Sequence, residues 1–236
     1  MSIRRVEQID DLVKIKNVVI SVSDKSGLDQ LIHDLIKIIP GVNIYSTGET
    51  YKKITEILGE NSFKNLSDVK SYTDMPPTEG GLVKTLHHKL FLGYLTETYS
   101  QAHQDDLRRE NAEPIDLVVC NLYPFSQVIS NKSGKDPVHF EDARGNIDIG
   151  GPSMVRAAAK NFLRVGVVVN PADYPFLIDK LKQTKGHTNL KFRLYCAQQA
   201  FIHTAQYDSL IANYFITRTV KDISFAYPTI LNKLGE

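Results

Sequence analysis

The chain has 236 residues, 42% hydrophobic and 23% charged, enough to bury a core without disulfides or metal. Its 28 lysines and arginines nearly balance 27 aspartates and glutamates, and a net charge of +1 is not the basic excess of a polyanion binder, so no nucleic-acid partner is expected. Two cysteines, Cys120 and Cys196, are too few for a disulfide framework or a Cys-based zinc site. Both sit in apolar surroundings and read as small core residues. No segment approaches ~18 consecutive apolar residues, and the charged start Met1 to Glu7 lacks the apolar stretch of a signal peptide. A cytoplasmic protein with no membrane partner is expected.

In chain order, the first strong element is the β-branched run Val18 to Val22, fit for a buried strand. The polar turn Ser23-Asp24-Lys25-Ser26-Gly27 follows, then helical periodicity at Leu28, Leu31, Ile32 and Leu35, closed by Pro40-Gly41. A second strand, Val42 to Tyr45, runs into Ser46-Thr47-Gly48-Glu49-Thr50 and a helix from Tyr51 to Leu58 that ends at Gly59. This repeat is βαβ grammar and predicts an α/β fold with a parallel sheet. Asp116 to Cys120 and Val165 to Val169 read as further strands. Between them, Asn131 to Asp142 reads as an exposed loop, and Pro152 as a first-turn residue of a helix running from Ser153 to Asn161. Leu190 to Phe215 reads as one or two closing helices, with Leu194, Ala197, Phe201 and Ala205 at helical spacing.

Ligands of open parallel sheets bind at the carboxyl ends of strands, so the polar segments there are the site candidates. The two turns from Ser23 and from Ser46 offer hydroxyls, a lysine and free backbone N–H groups at helix starts, which suit a phosphate. Serine and threonine at helix starts also serve as plain caps, and composition leaves both readings open. Glu79 to Lys89 contains a glycine pair, Lys84 and Thr85, without the glycine before lysine that a Walker loop needs. Adjacent His87 and His88 point differently and do not readily chelate one ion, so no metal is expected. A fourth segment, Asn146 to Pro152, places Asp148 where it could cap the following helix, with Lys160 about three turns further on.

Seven strings in order carry a resemblance: Ser21 to Gly27, Ser46 to Gly48, Val83 to His87, Cys120 to Phe125, Ile147 to Gly151, Arg156 to Asn161 and His203 to Asp208. Together they resemble the IMP cyclohydrolase domain of the bifunctional purine-biosynthesis family, in which that domain precedes an AICAR transformylase domain. The resemblance implies a methylglyoxal-synthase-like (Rossmann-like) parallel sheet flanked by helices, with residues 18–216 as the domain between an extension over 1–17 and a tail over 217–236. It implies a homodimer and a cyclic amidine hydrolase working in the synthetic direction, closing the ring of the formamido-imidazole carboxamide ribonucleotide FAICAR to IMP with loss of water. No cofactor is implied.

By the same resemblance, Lys84 and Tyr123 orient the formyl oxygen and stabilise charge on it, while Asp148 and Lys160 manage proton transfer. Asn121 contacts the base, and the backbone at Ile149 and Gly150 faces the reacting arm. Ser23, Lys25, Thr47, Gly48, Thr50 and Thr85 cradle the 5′-phosphate. The chain ends near where the family's second domain would begin, so no folate binding is expected and formyl transfer is assigned to a separate enzyme upstream.

The chain departs from the family at four positions. Glu49 stands where the family has glycine and Leu82 where it has arginine, a local change of two charge units toward negative. Pro77 replaces glutamate, and His88 replaces proline. These departures keep two alternatives open, a diverged relative acting on another carboxamide and a non-catalytic purine-nucleotide-binding module.

Overall fold

The computed structural model of the chain describes residues 5–76, 78, 83–130, 139–227 and 229. Strand β2 (Asn17–Val22) is its centre, buried along nearly its whole length because helices cover both faces of the sheet. Beside it lie β3 (Asn43–Ser46) and β5 (Leu117–Asn121), with β4 (Leu66–Asp68) and β6 (Gly166–Val168) at the edges. The five strands are parallel in the order β4-β3-β2-β5-β6, as α/β grammar predicts.

Helix α1 (Leu28–Ile38) buries Leu28, Leu31, Ile32 and Leu35, the four positions marked by the sequence. Helix α2 (Gly48–Leu58) begins three residues before the expected Tyr51, so Gly48 to Thr50 belong to its first turn. Gly48 lies at φ 59° and Gly27 at φ 71°, where a β-carbon would strain the backbone, and each turns the chain from a strand into a helix. The short α3 (Ser62–Asn65) and α4 (Val69–Thr73) flank β4, which at three residues is too short to announce itself in the sequence. After α5 (His88–Leu95) and α6 (Gln101–Arg109) the chain returns to the far side of β2 as β5. His88 is the first residue of α5, a position that also suits the proline of the family.

Between β5 and β6 come α7 (Phe125–Ser130), α8 (Phe140–Gly145) and α9 (Gly150–Lys160). The loop expected over Asn131 to Asp142 falls outside the described residues up to 138, and from Phe140 it is helical, because Phe140 is buried against Tyr214. Helix α9 starts at Gly150, before the expected Ser153. Pro152 is then its third residue, where an N–H would have no partner in the helix. Helix α10 (Tyr174–Gln183) leads to β7 (His187–Thr188), which pairs antiparallel with β1 (Val13–Lys14). The closing segment is one helix of 27 residues, α11 (Leu190–Ile216), packed on α9 and β6, and α12 (Val220–Ala226) follows.

Two buried arginines tie these layers together. Arg193 donates to five backbone carbonyls, those of Asp10, Asp11, Phe162, Leu163 and Thr188. Arg164 pairs with Asp116 at 2.9 Å and donates to the carbonyls of Gly93, Thr96 and Ile115. Cys120 and Cys196 are buried and free, and burial pushes both thiols up, Cys196 to about 12. Among the described residues no helix is long and apolar enough to cross a membrane.

Candidate active site

From β2 the chain steps outward to β3 and β4, then returns to β5 on β2's other side, which makes the gap between β2 and β5 the topological switch point. There Asn121, the last residue of β5, joins the two halves. Its Oδ1 accepts from Ser23 N and Asp24 N at 2.7 and 2.8 Å, and its Nδ2 donates to Asp24 O at 2.9 Å. The buried Tyr174 phenol faces the same side chain, and its ring packs 3.4 Å from where a β-carbon of Gly27 would stand. Asn121, expected at the base, is therefore engaged with the first turn. Nothing in the sequence pattern pointed to Tyr174.

The second turn is anchored in the same way. Thr50 accepts from Val22 N at 3.1 Å and donates to Val22 O at 2.9 Å, so its buried hydroxyl clamps the end of β2. Ser23, Lys25 and Thr47 are half-buried at the rim. Glu49 turns onto Lys52 at 2.7 Å. That ion pair, with the charges of Lys25 and Lys84 beyond it, holds its carboxyl below the usual range. Leu82 and Pro77 lie outside the described residues.

Lys84 and Thr85 bridge the two sides of the site. The Lys84 ammonium is 3.9 Å from where a Gly48 β-carbon would stand, and the Thr85 hydroxyl is 2.6 Å from the corresponding point at Gly150. Lys84 thus faces the start of α2, while Thr85, buried, faces the start of α9.

Asp148 caps α9 by accepting from Gly151 N at 2.9 Å, with further backbone N–H groups of Tyr123 and Gly150 turned toward its carboxyl. Its own N–H donates to the Tyr207 hydroxyl of α11 at 2.7 Å, a support that the string His203 to Asp208 contained without revealing. Burial outweighs these bonds and raises the Asp148 carboxyl above its ordinary range. Tyr123 is 53% exposed beside it and Ile149 is 62% exposed, so both face the open side.

The structure does not bring Lys160 to this group. Helix α9 has 11 residues and is about 16 Å long. It runs from Asp148 at the carboxyl edge of the sheet to Asn161, which leads back to the amino end of β6. Lys160 is exposed at that far end.

The family model of the AICARFT/IMPCHase bienzyme matches residues 158–233. The bifunctional purine biosynthesis protein PurH of Thermoanaerobacter sp. (strain X514) is 44% identical over 203 residues, 86% of this chain and 38% of that protein. PurH of Prochlorococcus marinus (strain NATL2A) is 45% identical and that of Bacillus subtilis (strain 168) 40%, each over 85% of this chain. The chain spans a little over a third of the length of these relatives. Among solved structures, the crystal structure of ForH superposes with a TM-score of 0.70 at 28% identity, covering 85% of this chain and 99% of that one. The sheet is of the methylglyoxal-synthase-like type that the motifs implied. Over some 85% of its length the chain is thus similar to a part of the AICARFT/IMPCHase bienzymes, to which its motifs pointed.

Proposed function

We propose that the chain is an IMP cyclohydrolase, closing FAICAR to IMP with loss of water in purine biosynthesis. The observation that carries this reading is the meeting of four groups at the carboxyl edge of the sheet: the two anchored turns, Lys84 with Thr85, Tyr123, and the half-buried carboxyl of Asp148. The turns from Ser23 and Thr47 hold the 5′-phosphate, and the two reacting arms lie toward Tyr123 and Asp148.

The carboxamide nitrogen attacks the formyl carbon within one molecule, so holding the arms in register supplies much of the rate. Asp148 takes the proton that the nitrogen loses as the new C–N bond forms, a task suited to a carboxyl raised toward neutral pH. Lys84 and the Tyr123 phenol stabilise charge on the formyl oxygen; it takes up the proton held by Asp148 and the one the formamide nitrogen loses as the ring C=N bond forms, and the C–O bond breaks to release water. Lys160 lies at the other end of α9 and is assigned no step in this reading. A cytoplasmic homodimer belongs to the same proposal, and sedimentation at monomer mass would refute the dimer.

Glu49 and Leu82 favour a second reading, a relative retuned to a different carboxamide. Ultraviolet-monitored conversion of FAICAR to IMP by the purified chain separates the two. Turnover that drops in Lys84→Ala and Tyr123→Phe supports the cyclohydrolase. An inactive native chain that gains activity as Glu49→Gly/Leu82→Arg supports the retuned enzyme.

A further inference from the structure

A cavity of about 180 Å³ opens beside the second turn, between the carboxyl ends of β3 and β4, lined by Thr47, Asp68, Lys70, Met75, Val83 and Lys84 among others. Its volume is several times the ~30 Å³ share of one water, enough for a phosphate group. Its walls are fixed locally. The Thr78 hydroxyl accepts from Val83 N at 3.2 Å, and Asp68 accepts from Lys70 N at 3.1 Å. The Asp68 carboxylate is thus held as the cap of α4, and the Lys70 ammonium has no ion-pair partner among the described residues. Two lysines against one aspartate leave the cavity net positive, and the apolar sides of Met75 and Val83 strengthen its field.

We propose that Lys70 is a phosphate-binding residue of this chain, joining Thr47 and Lys84 around the phosphomonoester. The inference rests on the functional reading above in taking the ligand to be a 5′-phosphate. Lys52 neutralises the charge at Glu49, and Lys70 adds a cation to the cavity beside Lys84. Lys70 is a binding residue, so its loss falls on affinity rather than on the chemical step.

The test measures binding of ribose 5-phosphate, IMP and inosine to the full chain and to Lys70→Gln, beside FAICAR turnover. Lys70 is exposed on a short helix, and matching thermal melts establish that the variant folds. Ribose 5-phosphate and IMP are expected to bind about tenfold more weakly to the variant, the size of one charge-assisted hydrogen bond. Inosine is expected to bind as before. If the native chain turns over FAICAR and Lys70→Gln binds ribose 5-phosphate as tightly as native, the Lys70 proposal is overturned and the cyclohydrolase stands. If the native chain is inactive on FAICAR yet Lys70→Gln loses ribose 5-phosphate tenfold, the cyclohydrolase falls and the phosphate site stands. A native chain with no affinity for ribose 5-phosphate overturns the site.

Discussion

The carboxamide of Asn121 grips the main chain of Asp24 from both sides, accepting from its N–H at 2.8 Å and donating to its carbonyl at 2.9 Å. With the bond from Ser23 N, this fixes the first turn to the end of β5 across the switch point of the sheet. An apolar residue of similar size leaves these groups without partners. Asn121→Leu is therefore expected to lose about 2–4 kcal/mol in denaturant unfolding, with weaker binding of phosphorylated ligands. An unchanged midpoint with normal IMP affinity would show the turn to be held by other contacts.

That side chain also marks the limit of the sequence reading. The β2–α1–β3–α2 grammar was legible because β-branched runs and helical spacing at Leu28, Leu31, Ile32 and Leu35 are local signals. The motif strings then located the turns and the Asp148 segment. What could not be read was the direction in which polar groups point. Asn121 and Thr50 look like ligand contacts in a string, yet in the fold they bond the backbone of Ser23, Asp24 and Val22. Lys160 follows Asp148 by twelve positions, and only the course of α9 places it at the opposite edge of the sheet. Helix α5 escaped notice because its apolar residues, Leu90, Phe91, Leu92, Tyr94 and Leu95, crowd together without a clean helical stripe.

Gly151 reverses a general expectation. Alanine in place of a helical glycine ordinarily gains up to about 1 kcal/mol. Here the added β-carbon would stand 2.5 Å from Asp148 Oδ2 and 2.7 Å from Leu122 Cδ2. Gly151→Ala is expected to lose about 1–3 kcal/mol and to lower turnover by displacing the carboxyl. A stabilised variant with native kinetics would mean that Asp148 has room to move.

The Arg164–Asp116 pair holds α5, β5 and the start of β2 together, since Asp116 also accepts from Lys16 N and Asn17 N. Burial raises the Asp116 carboxyl despite the arginine. Removing the arginine strands that carboxylate, so Arg164→Ala is expected to cost about 3–5 kcal/mol at neutral pH. Its pKa then rises further, and the penalty fades as pH falls through it and the group takes up a proton. Unfolding curves at pH 4 and pH 7 should therefore show the larger deficit at pH 7. Equal deficits would place the loss in the three carbonyls left bare.

Asp148 supplies the sharpest test of the mechanism, because burial has raised its pKa where a base must act. If the carboxylate takes the carboxamide proton, turnover climbs as pH rises through that pKa, along a limb lying above the ordinary aspartate value of about 3.9. Asp148→Asn should cut turnover by about 10²–10⁴-fold and abolish the limb. Stability should move the opposite way. An unfolded aspartate ionises at lower pH than this half-buried one, so the native fold is penalised as pH rises from about 3.9 through the raised value. Asparagine carries no such penalty, and the stability of Asp148→Asn relative to native should improve across the same window. A pH–rate profile and unfolding curves on the same two proteins would read both signs, and an Asp148→Asn enzyme retaining the native limb would assign the base to another group.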